Sequence, residues 1–127
     1  MKKKIQIAVV GMGLMGSQHL KAIKLSKKAT LHSILDINKS SYLQAKKFKV
    51  PFYRNFRELL KKNKPDAVIV ATPNQFHEKH TSQFLKAKIP VLLEKPISDS
   101  IKSAKKIINN AKKNNTQLLI GYHRRHN

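Results

Sequence analysis

At 127 residues the chain has the length of one domain, spanning residues 1–127, and its 40% hydrophobic content excludes a disordered polypeptide. The absence of cysteine excludes a disulfide framework and a thiolate-held metal, which makes a cytoplasmic location the expectation. A net charge of +21 invites a polyanion partner, but no apolar run nears the ~18 residues that a membrane span needs.

In chain order, the apolar run Ile5–Val10 reads as a strand, and the turn Gly11-Met12-Gly13-Leu14-Met15-Gly16 follows it at once. Lys2-Lys3-Lys4 before that run resembles the start of a signal peptide, but Gln6 and the glycines interrupt the apolar stretch. A helix is expected over Leu14–Ser26, then a strand over Leu31–Leu35 that ends at Asp36, twenty positions beyond Gly16. A helix over Lys39–Lys47, a short strand near Phe52-Tyr53 and a helix over Phe56–Lys61 come next. The strand Ala67–Ala71 runs into Thr72-Pro73-Asn74 and a helix over Gln75–Ala87. The strand Val91–Leu93 leads to Glu94-Lys95-Pro96. The helix Asp99–Lys112 has Ile101, Ala104, Ile107, Ile108 and Ala111 on one face, with Ser98-Asp99 as its N-cap and first-turn acid. Leu118–Ile120 is the last strand, followed by Tyr122-His123-Arg124-Arg125.

Strands that alternate with helices predict an α/β fold of the Rossmann type. It is a doubly wound parallel six-stranded sheet, and right-handed crossovers give the order 3-2-1-4-5-6. The lysines then fall on helix faces or helix ends, with few aromatic residues between them to stack bases. Arginine, the better phosphate fork, occurs only at positions 54, 57, 124 and 125. Solvated helix faces are therefore expected, with salt-sensitive, non-specific polyanion binding, no specific nucleic-acid partner and no membrane partner.

Every unusual short motif lies at the carboxyl end of a predicted strand, where open α/β sheets hold ligands. A strand, a glycine turn, a helix, a second strand and then an acid is the layout that holds a dinucleotide. Gly11 permits the tight turn, Gly13 lets the backbone approach a pyrophosphate, and Gly16 lets helix and strand pack closely. Leu14 and Met15 open the helix whose free N–H groups and dipole face the phosphates. Asp36 would accept hydrogen bonds from the adenosine ribose. Ala71, Thr72 and Pro73 would line the nicotinamide ribose. Asn74 and His77 either face the same space or, respectively, cap the helix and cover a surface. Lys95 is the candidate catalytic residue, since a lysine beside a nicotinamide can hold or relay the proton of a substrate hydroxyl. Glu94 either orients Lys95 or makes a structural contact. His19, one turn into the first helix, either approaches the cofactor or packs beneath the helix. His77 and His80 lie three apart with no evident third ligand, so no metal is expected.

Taken together, Gly11–Gly16 with His19, Asp36, Ala71-Thr72-Pro73-Asn74 with His77, Glu94-Lys95-Pro96 and Gly121-Tyr122 with Arg124-Arg125 resemble the Gfo/Idh/MocA family. The resemblance implies NAD(P)-dependent oxidation or reduction of a hydroxyl or carbonyl on a sugar, cyclitol or related compound. It also implies Lys95 as the lysine of the family's Glu-Lys-Pro motif. An acid at Asp36 favours NAD, because a carboxylate repels a 2′-phosphate, while Lys39 nearby leaves NADP open. Family members carry a second α/β domain that supplies the substrate pocket and the oligomer contact. This chain stops at Asn127 before any such domain, so a truncated or split enzyme, inactive alone, is the expectation. A partner chain or a homo-oligomer would complete it. The alternatives are a stand-alone non-catalytic NAD(P)-binding module and a polyanion-binding protein.

Overall fold

The computed structural model describes residues 3–12, 14–95 and 97–121. Gly13, Pro96, Tyr122, Arg124 and Arg125 lie outside the described residues. The elements are β1 (Ile5–Val10), α1 (Leu14–Leu25), β2 (Ala29–Leu35), α2 (Tyr42–Phe48), β3 (Phe52–Tyr53), α3 (Phe56–Lys62), β4 (Ala67–Val70), α4 (His77–Lys86), β5 (Val91–Glu94), α5 (Ile101–Lys113) and β6 (Leu118–Gly121). The six strands form one parallel sheet in the order β3-β2-β1-β4-β5-β6, as the alternation of the sequence requires. Among the described residues, no helix is long and apolar enough to cross a membrane.

Side chains alternate across the pleat, so each central strand feeds two apolar layers. Ala8, Val10, Val68, Val70, Val91 and Leu93 pack with Leu59, Phe84, Leu85 and Ile107 from α3, α4 and α5. Val9, Ile34 and Ile69 pack on the other face with Leu20, Ile23 and Ala45 from α1 and α2. Each aliphatic side chain fully buried here stabilises the fold by roughly 1.5–3 kcal/mol. The register brings Val10 level with Leu35 and Val70, and Leu35 level with Tyr53, so four strands end at one edge.

Three helix starts differ from the sequence reading. α2 begins at Tyr42 rather than Lys39, because a 3-10 turn at Lys39–Ser41, capped by Asn38 Oδ1 accepting from Ser40 N–H, precedes it. α4 begins at His77 rather than Gln75, because a 3-10 turn at Asn74–Phe76 precedes it and closes through Phe76 N–H to the Pro73 carbonyl. The N-cap of α5 is Ser100 rather than Ser98-Asp99. Ser100 is extended at φ −150°, and its Oγ accepts from Ser103 N–H, whereas Ser98 Oγ donates to Asp99 Oδ1 at 3.2 Å. The first turn of α5 therefore carries no acid. The apolar stripe of α5 is also only partly covered. Ile107 is fully buried, but Ile101 is 78% exposed and Ile108 is exposed too, because α5 leans mainly on α4. Asn110 Nδ2 donating to Ser82 Oγ at 2.8 Å and Lys88 Nζ donating to the Asn114 carbonyl at 2.7 Å join these two helices.

The start of α1 is pressed against the end of β1. A Cβ on Gly11, whose φ is +92°, would stand 2.8 Å from Ala71 C and Thr72 N. A Cβ on Gly16 would fall on the Gly11 carbonyl oxygen, and neither backbone can yield. Gly16→Ala should therefore cost about 1–3 kcal/mol of stability, the usual range for overpacking. Urea denaturation measures it, and an unchanged midpoint would contradict the close approach described here.

Candidate functional site

A cleft of about 920 Å³ opens at the carboxyl ends of β1, β2, β3 and β4. That volume falls within the roughly 300–1,000 Å³ of small-ligand pockets. Its walls come from Val10-Gly11-Met12, Leu35-Asp36, Arg54-Asn55-Phe56, Ala71-Thr72-Pro73 and, on the helical side, Phe76, Lys79, His80 and Gln83. The ladder carries on one residue past the strands and fixes this rim. Gly11 N–H donates to the Leu35 carbonyl at 2.8 Å, Asp36 N–H to that of Tyr53 at 3.1 Å, and Ala71 N–H to that of Val10 at 2.7 Å.

Asp36 is the most heavily engaged of these residues. Its Oδ2 accepts from Met12 N–H at 3.1 Å and from Ser41 Oγ–H at 2.7 Å, and its Oδ1 accepts from Asn38 N–H at 3.3 Å. The carboxylate thus binds the end of β2 to the glycine turn. Two oxygens offer about four acceptor sites, and among the described residues three are taken by protein donors, while Asp36 itself lines the cleft. Leu14, Met15 and Gly16 form the first turn of α1.

The remaining candidates separate from the cleft wall. Asn74 sits in the 3-10 turn and caps nothing, since the cap position is Pro73. His77 is buried and neither covers a surface nor lines the cleft. Its Nε2 meets the Thr72 carbonyl at 2.7 Å and its Nδ1 the Ile97 carbonyl at 3.2 Å, so its ring joins the chain after β4 to the chain after β5. Glu94 is buried and pairs with the His19 ring, which links α1 to the end of β5. His19 thus contributes a polar tie beneath the helix. Lys95 is exposed immediately after β5, at the same sheet edge but outside the walls of the cleft. Among the described residues, no group of three His, Asp or Glu side chains is placed to hold a metal.

Several lining residues escaped sequence reasoning. Ser41 and Asn38 were signalled only by the polar run after Asp36, which reads as an Asx turn. Arg54, Phe76, Lys79 and His80 had no signal short of the sheet order and the facing of α4. His80 Nδ1 lies 3.2 Å from Thr72 Oγ1, and its ring stacks on Phe76 with centroids 5.9 Å apart. Burial pushes His80 below the ordinary histidine value, with Lys79 and then His77 adding to the effect. His32, on β2 away from the cleft, is lowered by burial too, partly offset by the Asn63 backbone and Asp66.

Residues 5–122 match the model of the oxidoreductase family with an NAD-binding Rossmann fold, Gfo/Idh/MocA. The chain is 30% identical over 123 residues to myo-inositol 2-dehydrogenase of Thermotoga maritima, covering 95% of this chain and 37% of that protein. It is 30% identical over 122 residues to glucose-6-phosphate 3-dehydrogenase of Bacillus subtilis, covering 95% of this chain and 34% of that protein. Among solved structures, a probable dehydrogenase from Thermotoga maritima is similar at a TM-score of 0.87 and 28% identity, over 92% of this chain and 36% of that one. Apo scyllo-inositol dehydrogenase from Lactobacillus casei is similar at a TM-score of 0.86 and 25% identity, over 94% of this chain and 36% of that one. The chain spans little more than a third of the length of these relatives.

The lowered value of His80 has a consequence for stability. Folded His80 holds its proton less tightly than in the unfolded chain, where 6.5 is ordinary. The unfolded state therefore takes up the proton first as pH falls. Stability present above 6.5 is lost as pH drops from there through the folded value. His80→Gln should flatten that dependence, leaving the part due to His32. Urea denaturation at about pH 7.5 and about pH 5.5 tests this, and an unchanged difference would contradict the burial of His80.

Proposed function

The chain belongs to the Gfo/Idh/MocA oxidoreductase family and is an NAD-binding Rossmann domain of it, and from that premise we propose how the cleft serves an oxidoreductase. The observation that carries the proposal is the meeting of Gly11, Met12, Asp36 and Ala71-Thr72-Pro73 around one cleft at the sheet's switch point. The residues suit a dinucleotide. Gly11 and Gly16 let the turn close directly on the backbone of Ala71-Thr72 and on itself, and the Asp36 carboxylate in the cleft wall accepts from a ribose.

Met12 N–H is held by Asp36, so this part of the backbone is set before a ligand arrives, which lowers the ordering cost of binding. The backbone N–H groups at the start of α1 face the pyrophosphate, and Ile37, Phe56 and Phe76 give apolar walls for a flat base. Thr72 and Pro73 flank the nicotinamide ribose. Bound nicotinamide supplies the acceptor or donor of a hydride. Lys95, at the end of β5, hydrogen-bonds the substrate hydroxyl and takes up or returns its proton. The ties of Glu94 to His19 and of His77 to the Thr72 and Ile97 carbonyls hold the two loops around that lysine. The names of the relatives support a cyclitol or sugar as the substrate class. Orienting that substrate and excluding water need further polypeptide of the kind that makes up the rest of those relatives.

NADH fluorescence titration tests the site. Asp36→Ala should weaken binding by about 1–2 kcal/mol, since it removes ribose hydrogen bonds and frees the Met12 N–H. Lys95→Ala should leave the affinity within about twofold, because its role lies in proton transfer rather than in holding the cofactor. Equal binding by Asp36→Ala and the parent chain would overturn the pose.

A further inference from the structure

Two cations face the cofactor cleft without a carboxylate to neutralise them. Arg54 and Lys79 both line it, and among the described residues neither has an ion-pair partner. Among the described residues Asp36 is the only carboxylate in the walls, and three protein donors already occupy it. The positive field reaches His80, whose proton affinity Lys79 helps to lower.

The location of Arg54 is specific. Asp36 N–H donates to the Tyr53 carbonyl, so Arg54 comes one residue later on the neighbouring strand, about 4.8 Å to the side of Asp36. With β3 at the edge of the sheet, Arg54 lies on the side of Asp36 away from the glycine turn. Its backbone is held in place. Asn55 Oδ1 accepts from Glu58 N–H at 2.9 Å, and Glu58 Oε1 accepts from Arg54 N–H at 3.3 Å. Phe56 packs edge-on against Phe84 with centroids 5.0 Å apart, which holds this loop against α4 and brings Arg54 and Lys79 to one cleft. Lys39, though closer to Asp36 in sequence, is exposed and outside the walls.

We infer that Arg54, supported by the field of Lys79, forms an anion subsite that takes the 2′-phosphate of NADP(H), so that the domain accepts both dinucleotides. This rests on the reading of the cleft as the adenosine half of the dinucleotide site. Arginine is suited to the task because its guanidinium fork grips a phosphate through paired charge-assisted hydrogen bonds. Asp36, its charge drawn toward Met12, Ser41 and Asn38, opposes the phosphate less than an unengaged carboxylate would.

The test titrates the 127-residue chain with NADH and with NADPH, in the parent, Arg54→Gln, Arg54→Lys and Lys39→Gln forms. Arg54 is exposed, so these substitutions leave the core untouched. NADPH should bind within about tenfold of NADH, and Arg54→Gln should weaken NADPH by about tenfold or more while changing NADH less than about twofold. Arg54→Lys should fall between, and Lys39→Gln should match the parent. Loss of both affinities alike in Arg54→Gln, or NADH binding with no response of NADPH to Arg54, would overturn the subsite and leave the cofactor site standing. Failure of the parent to bind either dinucleotide would overturn the reading of the cleft, and the subsite with it.

Discussion

The carboxylate of Asp36 is the tie on which the site depends. β1 and β2 are neighbours in the sheet, but sheet pairing alone does not set the chain beyond their ends. Asp36 does so by accepting from Met12 N–H in the glycine turn and from Ser41 Oγ–H ahead of α2. Its own N–H extends the ladder to Tyr53. Asp36 thus fixes Met12 after β1, the loop after β2 and the start of the loop after β3. The glycines complete the constraint, because the contact of Gly16 with Gly11 leaves no room for a side chain.

Two further polar ties do for the other half of the sheet edge what Asp36 does for the first. His77 lies between the Thr72 and Ile97 carbonyls, joining the segments that leave β4 and β5. The His19–Glu94 pair joins α1 to β5. A buried polar group left without a partner costs about 1–3 kcal/mol, so these residues resist replacement even without touching a ligand. They also show how the strand ends become one surface. The segments are remote in sequence, and each histidine ring spans a gap that backbone pairing leaves open.

The fold was legible because its determinants are local. Apolar runs of strand length alternate with helical stretches, and the sheet order follows from right-handed crossovers. The glycine turn and Asp36 were legible because their spacing is a backbone requirement. The directions of side chains were not. Whether His77 faces the cleft depends on where the Ile97 carbonyl lies, twenty residues away, and spacing within α4 carries no such information. Arg54 was invisible for a similar reason, since it becomes a neighbour of Asp36 only when β3 pairs with β2. The start of α5 failed on a finer point. Ser98, Asp99 and Ser100 can all cap a helix, and the extended backbone at Ser100 decides among them.

The lysine-rich surface and the cleft offer competing places for an anionic ligand. Lysines at 102, 105, 106, 112 and 113 coat α5, whereas the cleft combines backbone donors, one engaged carboxylate and two cations, Arg54 and Lys79, that have no ion-pair partner among the described residues. A dinucleotide attracted by charge alone would spread over the helices. One recognised by the site would concentrate at the strand ends. The most direct measurement is a nitrogen-15 amide NMR titration with NADH at physiological salt. The account predicts shifts confined to Gly11, Met12, the first turn of α1, the chain from Asp36 to Ser41, Arg54 to Phe56 and the chain from Ala71 to His80. Shifts spread over α5 and α2, with Gly11 and Met12 unmoved, would contradict it.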